Sequence, residues 1–367
     1  MRFELSADQR LIEASLRSFL ADAMPLDQVR RVAATRQGFD AALWGELCSL
    51  GVPGLLIAEE FGGAGLGMLE AAIVAEALGY AAAPAPFAGP CVMAPLAITS
   101  AASAAQQRQW LPRIASGAMR VAVACGTLSG ATGRFALEVS CGRLSGRADG
   151  LVDGAGATHA LAFAADGSSF MIALESPGVM ATPRPTLDRT RPLLDLVFDD
   201  VVAEPLRDCS DAPAMAHRVL DAGRVMLAAD ILGAGGRMIE KAVEYAGERV
   251  QFGRVIASFQ AVKHLCAEMV AELEPCRSLV WYAAFVQDRG TQEERRTLAC
   301  LAKAHLAEVG RHVARTATEV HGGMGFTDLM GLHYWFKRIS FDRQVLGGPE
   351  HCRNQAALAQ SWYNATH

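Results

Sequence analysis

The chain has 367 residues, half of them hydrophobic (51%) and a fifth charged (20%), which excludes extended disorder and leaves length for two or three domains. A formal net charge of −5 with no basic stripe argues against a nucleic-acid partner. The nine cysteines are odd in number and scattered, with no C-x-x-C, as expected of reduced core residues in a cytoplasmic protein without a metal site.

The first residues lack the basic tip and apolar run of a secretory signal. Ser6-Ala7-Asp8-Gln9 has the form of a capping box, after which Ile12, Leu16 and Phe19 recur at helical spacing. A second helix is expected from Met68 to Tyr80, ending at Gly79, with Ala83-Pro84-Ala85-Pro86 forbidding its continuation. The apolar stretch from Cys91 to Ala105 contains serine, threonine and proline, and is too short and too polar to span a bilayer. After Gly117 the texture changes to short β-prone runs: Val121 to Cys125, Ala136 to Ser140, Ala160 to Phe163, Phe170 to Leu174 and Leu194 to Phe198. Gly, Asp and Ser clusters separate them, as in a small sandwich or barrel that ends near Pro205.

From Ala214 long helices return. Leu227, Ile231, Ala234, Met238 and Tyr245 mark one seam; Phe259, Val262, Cys266, Met269, Leu273, Cys276 and Val280 mark the next. Leu298, Leu301, His305 and Val309 begin a third, on which His305 is expected to be a satisfied core histidine. Pro275 is expected to kink its helix. The pattern by itself supports an α+β chain with a helical C-terminal bundle, in three regions: a helical one over 1–120, a β-region over 121–208 and a bundle over 209–367.

Two segments of the last third carry the chemistry. The first is Arg249-Val250-Gln251-Phe252-Gly253-Arg254, followed by Ser258-Phe259-Gln260; the second is Glu319-Val320-His321-Gly322-Gly323-Met324-Gly325-Phe326. Glycine at a helix break lets backbone N–H groups approach a ligand, and arginine supplies a fixed fork for phosphate. Together they suggest a pyrophosphate or adenylate held at helix ends.

This pair, in this order, resembles the acyl-CoA dehydrogenase family, in which such segments of one subunit grip the flavin adenine dinucleotide (FAD) lying mainly on its neighbour. The resemblance covers nearly the whole chain. It continues through Phe3-Glu4-Leu5-Ser6, Trp44-Gly45-Glu46-Leu47, Ala58-Glu59-Glu60-Phe61-Gly62-Gly63-Ala64-Gly65, Glu76-Ala77-Leu78-Gly79, Trp110-Leu111-Pro112-Arg113 and Leu196-Val197-Phe198-Asp199-Asp200-Val201. It implies an N-terminal all-α domain, a central small β-sandwich and a C-terminal four-helix bundle. It also implies FAD-dependent oxidation of the Cα–Cβ bond of an acyl-CoA thioester, with a carboxylate as base.

Residue by residue, the resemblance makes Arg249, Phe252, Gln260, Glu319, Gly322 and Gly323 the FAD-binding set, with Thr127 and Ser129 in a shortened loop over Gly126–Ala131. The tryptophan and threonine that flank the flavin ring in relatives map to Gly150 and Val152, and Glu319 stands where relatives have glutamine. An ionised Glu319 would repel a pyrophosphate unless it pairs with Arg315, one turn back. The base position on the late loop is Gly347, and the alternative position on the first bundle helix is Gly223; neither carries a carboxylate, although the following Arg224 is kept as a substrate-region residue. The nearest carboxylates are Asp221, on a different helical face, and Glu350, at the start of the last helix, where its simplest role is to favour the helix N-terminus.

Three readings follow. The chain is an acyl-CoA dehydrogenase-family subunit that works beside a different, catalytic homologue; or it is a homo-oligomeric enzyme with a displaced base, Asp221 or Glu350; or it is a non-catalytic acyl-CoA-binding or scaffold protein on the same fold. The first two call for acyl-CoA, FAD, an electron-transfer partner and assembly through the bundle, as a homo- or hetero-oligomer.

Overall fold

The computed structural model describes residues 4–35, 37–126, 135–140, 142–164, 166–206 and 209–362. Helix α1 (Ala7–Ala23) opens on the expected capping box: the Ser6 hydroxyl accepts from the Gln9 N–H at 3.1 Å, and the Gln9 side chain accepts from the Ser6 N–H at 2.8 Å. Helices α2 (Leu26–Thr35), α3 (Ala41–Ser49) and α4 (Met68–Tyr80) follow. The proline segment stops α4, but the chain then winds into a π-helical stretch over Ala88–Met93 that leads into α5 (Ala94–Ala101) and α6 (Ala104–Ala115).

Among the described residues eight strands follow: β1 (Val121–Ala124), β2 (Phe135–Ser140), β3 (Arg143–Leu151), β4 (His159–Phe163), β5 (Ser169–Ala173), β6 (Val179–Arg184), β7 (Leu193–Val202) and β8 (Glu204–Pro205). They form two four-stranded sheets, in the orders β1-β4-β5-β8 and β2-β3-β7-β6. Leu194, Leu196 and Phe198 alternate inward along β7 and meet Ala122, Ala162 and Ile172 of the other sheet in one shared core. The sequence reading missed β3 and β6. Gly146, Gly150 and two arginines give β3 little strand propensity, yet it is held centrally by pairing on both sides. β6 is an exposed edge strand, which is where Pro183 is tolerated.

The bundle consists of α7 (Ala212–Glu248), α8 (Gln260–Arg289), α9 (Gln292–His321) and α10 (Leu332–Gln344), with a short fifth helix, α11 (Pro349–Ala359), packed on α9. The α8 seam is buried at Met269, Leu273, Cys276 and Val280, and the helix runs on through Pro275. The expected α9 seam is corrected in part: Val309 is buried and Leu298 packs against the core, but His305 and Leu301 face solvent, and the buried face carries Cys300, Lys303 and Leu306 in their place. A helix rich in alanine gives the 3.6-residue pattern few markers, so the wrong stripe is easily chosen.

Helix α7 is buried on every side from residue 219 to 235, because α4 covers the face that α8, α9 and α10 leave free. At that crossing the backbones touch. A Cβ on Gly79 would lie 2.1 Å from the Asp230 carbonyl oxygen, and one on Gly233 would lie 1.8 Å from that of Glu76. Buried ion pairs then tie the parts together. Arg338 donates to both oxygens of Asp230 at 2.7 Å and to the Ala83 carbonyl at 2.9 Å; Arg191, from the loop before β7, meets Asp342 at 2.7 Å and Asp153 at 3.5 Å. Among the described residues, no helix is long and apolar enough to cross a membrane.

Candidate functional site

Helix α7 stops at Arg249, whose N–H still donates to the Tyr245 carbonyl while its backbone turns extended. A two-residue hairpin follows, β9 (Val250–Gln251) and β10 (Arg254–Val255), whose turn places Phe252 at φ +53° and Gly253 at φ +75°. A left-handed conformation is unusual for an aromatic residue. It holds Phe252 outward, 92% exposed, edge-on to Phe259 at 6.1 Å, while the Arg254 guanidinium covers the Phe259 ring at 4.0 Å. Arg249 is exposed, and so is Gln260, the first residue of α8.

Helix α9 ends at His321, and Gly322 takes φ +58°, ψ −140°, a conformation open essentially to glycine alone. A Cβ at Gly322 or Gly323 would meet nothing within 4 Å, so this bend is open on its outer side. His321 stacks on Tyr245 with centroids 4.5 Å apart, which joins the end of α9 to the end of α7 one turn before Arg249. Its Nδ1–H donates to the Ala317 carbonyl at 2.7 Å, and burial lowers its pKa, so the ring is neutral at neutral pH. Glu319 and Arg315 are both exposed and no ion pair joins them, so the expected internal neutralisation of Glu319 is absent from the protomer. Thr127 and Ser129 lie outside the described residues.

A second cluster forms where the start of α7 meets the start of α9. A cavity of about 240 Å³ is lined by His217, Arg218, Asp221, Arg295 and Arg296 among others. Burial and neighbouring Arg295 lower the pKa of Arg218, and the buried Nε atoms of Arg218 and Arg295 have no hydrogen-bond partner. Asp211 also lines this cavity, with one oxygen taken up in capping α7 through the Ala214 N–H. Asp221 is buried and held by two arginines, Arg224 at 3.0 Å and Arg296 at 2.8 Å.

Arg224 is fully buried and donates from Nε to the Leu346 carbonyl at 2.9 Å. That contact brings the two expected base positions together, because Leu346 precedes Gly347 and also packs on Gly223. Lys303 and Cys352 both donate to the Gly347 carbonyl, at 3.2 and 3.4 Å, so three side chains pin this turn. Glu350 is exposed in the first turn of α11.

Comparison with known proteins matches residues 6–118 to the acyl-CoA dehydrogenase N-terminal domain and residues 214–359 to the acyl-CoA dehydrogenase C-terminal domain. Acyl-CoA dehydrogenase IpdE2 of Mycobacterium tuberculosis is 32% identical over 349 residues, covering 93% of this chain and 94% of its own length. The chain belongs to the acyl-CoA dehydrogenase family. Among solved structures, the ChsE4-ChsE5 complex from Mycobacterium tuberculosis superposes with a TM-score of 0.88 at 25% identity over the full length of both chains. A variant of the Tcur3481-Tcur3483 steroid ACAD gives 0.87 at 28% identity, over 97% of this chain and 98% of the other.

The family's cofactor is FAD. The residues here fit half of such a site. The open diglycine bend and the exposed Arg249 leave room for a dinucleotide beside this chain, whereas the positions that the resemblance assigns to the flavin ring are a φ +72° glycine, Gly150, and a buried Val152 bridged to Val123. Neither of the latter offers an aromatic face or a hydroxyl. The sequence reading missed the cavity arginines and Lys303. Their signal was present in Arg218, Asp221 and Arg224, a charged i, i+3, i+6 stripe inside an otherwise apolar helix.

Proposed function

We propose that this chain is a flavoprotein subunit of the acyl-CoA dehydrogenase family that works in a hetero-oligomer beside a base-bearing homologue. The observation that carries the reading is that Leu346, the neighbour of Gly347, packs on Gly223 beside an Asp221 already engaged by two arginines, while Arg249, Phe252, Gly322 and Gly323 are exposed. In this reading Arg249 and the diglycine bend hold the FAD of the neighbouring subunit, with Gln260 and Glu319 at its edge. FAD, when bound, accepts the β-hydrogen of the acyl thioester as a hydride. Two of the solved relatives are named as pairs of chains, which supports the heteromeric form.

Asp221 does not suit the role of base, since both of its oxygens are engaged by guanidiniums. The arginine-lined cavity suits the phosphates of an acyl-CoA: it offers two helix N-termini and cations with donors to spare. Coexpression with a base-bearing homologue should give a yellow complex that oxidises an acyl-CoA with an artificial electron acceptor. Arg249→Ala should weaken flavin retention by that complex about tenfold, the loss expected for one charge-assisted hydrogen bond. Glu350→Gln should leave turnover unchanged. An active, yellow homo-oligomer of this chain alone would remove the need for a second subunit; a colourless protein that binds acyl-CoA but no flavin would favour the non-catalytic reading.

A further inference from the structure

We propose that Met93 and Leu346 close this chain's own acyl chamber, so that it accepts the CoA end of a thioester and excludes the acyl group. The inference rests on the acyl-CoA reading above and concerns what becomes of the substrate inside this subunit. Its centre is Gly223. A Cβ there would lie 2.7 Å from Met93 Sδ, 3.1 Å from Met93 Cε and 2.7 Å from Leu346 Cδ1. The space beside the helix, where the family's alternative base would project, is thus filled by two apolar side chains from distant parts of the chain. Met93 is fully buried and Leu346 is 5% exposed, so neither leaves a passage to solvent.

Both side chains are aimed by unusual backbone. Met93 closes the π-helical stretch, a rare geometry that appears mostly at functional sites. The stretch is anchored at its start by Asp153, whose carboxylate accepts from the Phe87 N–H at 3.2 Å and the Gly89 N–H at 2.7 Å. Gly89 is closely packed as well, with the Val121 carbonyl 3.0 Å from its would-be Cβ, so a side chain there would press on β1. Leu346 sits at φ +59°, a conformation that disfavours a branched side chain, and Arg224 holds its carbonyl. Two departures from ordinary backbone therefore converge on one glycine. The arginine cavity is lined by Asp221 but by neither Met93 nor Leu346, so this closure leaves it open.

The test is calorimetric binding of CoA and of butyryl-CoA to the full-length chain, compared with Met93→Ala/Leu346→Gly and with Leu346→Gly alone. Glycine suits the backbone at position 346, so the single variant guards against loss of fold in the double one. Wild type should bind the two ligands within about twofold of each other, and the opened variants should prefer butyryl-CoA by at least about fivefold, the worth of a few newly buried methylenes. A wild-type preference for butyryl-CoA of tenfold or more would overturn the closure and leave the acyl-CoA reading intact. If neither ligand binds any form, the acyl-CoA reading itself falls, and this inference with it. Variants that fold, bind CoA and still fail to distinguish the two ligands would also overturn the closure.

Discussion

Lys303 has no exposed surface, and its ammonium donates to the carbonyls of Arg343 and Gly347. Burial lowers its pKa to about 8, against an ordinary value of 10.5. Between those values the unfolded chain holds the proton and the folded chain releases it, so this group adds stability as pH rises through that window and costs stability below it. The slope from one such group approaches about 1.4 kcal/mol per pH unit. Lys303→Met should flatten the rise of unfolding free energy between pH 8 and 10.5, as measured by urea titration at several pH values. An unchanged profile would show that the lysine keeps its proton in the folded state over this range, as a solvated lysine does.

At the scale of elements, the α4–α7 crossing sets the spacing on which the rest of the bundle depends. Gly233→Ala must force the two backbones apart and should cost at least about 3 kcal/mol, the upper range for overpacking. Gly236, one turn further along α7, faces nothing within 4 Å. Gly236→Ala should stabilise by roughly 0.5–1 kcal/mol, because glycine is a poor interior helix residue. The pair of urea midpoints distinguishes a packing cost from helix propensity. The extent of α7 was legible in the sequence, and the seam through Leu227, Ile231, Ala234 and Met238 is buried as expected. Its burial on all sides was not, because the covering helix lies some 150 residues upstream and periodicity within one helix is blind to it. The same limit explains His305: nothing local to α9 says which side α11 will cover. The Arg249 corner and the diglycine bend were legible because glycine and arginine choices at helix ends are local. The meeting of Gly223 with Leu346 is a long-range contact that no spacing rule reports.

For the molecule as a whole, Asp230 is the shared anion of a network that spans all three parts of the chain, receiving Arg338 and standing 3.4 Å from Arg191. Asp342 beside it is pushed well above the usual carboxylate range by burial and by Asp230, while Arg191 also faces Asp153 at 3.5 Å, so Asp230 is the carboxylate on which Arg338 depends. Asp230→Asn should leave buried guanidinium charge uncompensated, at a cost of about 3–5 kcal/mol. Because the sheets and the bundle are tied through Arg191, the loss should appear as one cooperative transition at lower denaturant concentration, detected equally by far-UV and tryptophan signals. Separate transitions would show that the parts unfold independently. The turn after α10 has a different kind of permanence. Gly347 adopts φ +108°, where a side chain is strained whatever room it is given, and three donors fix the carbonyls on either side of it. An acidic side chain at Gly347 would therefore be strained, and a base could stand there only if the turn were relaid, so substitution of that one residue would not by itself supply the missing carboxylate.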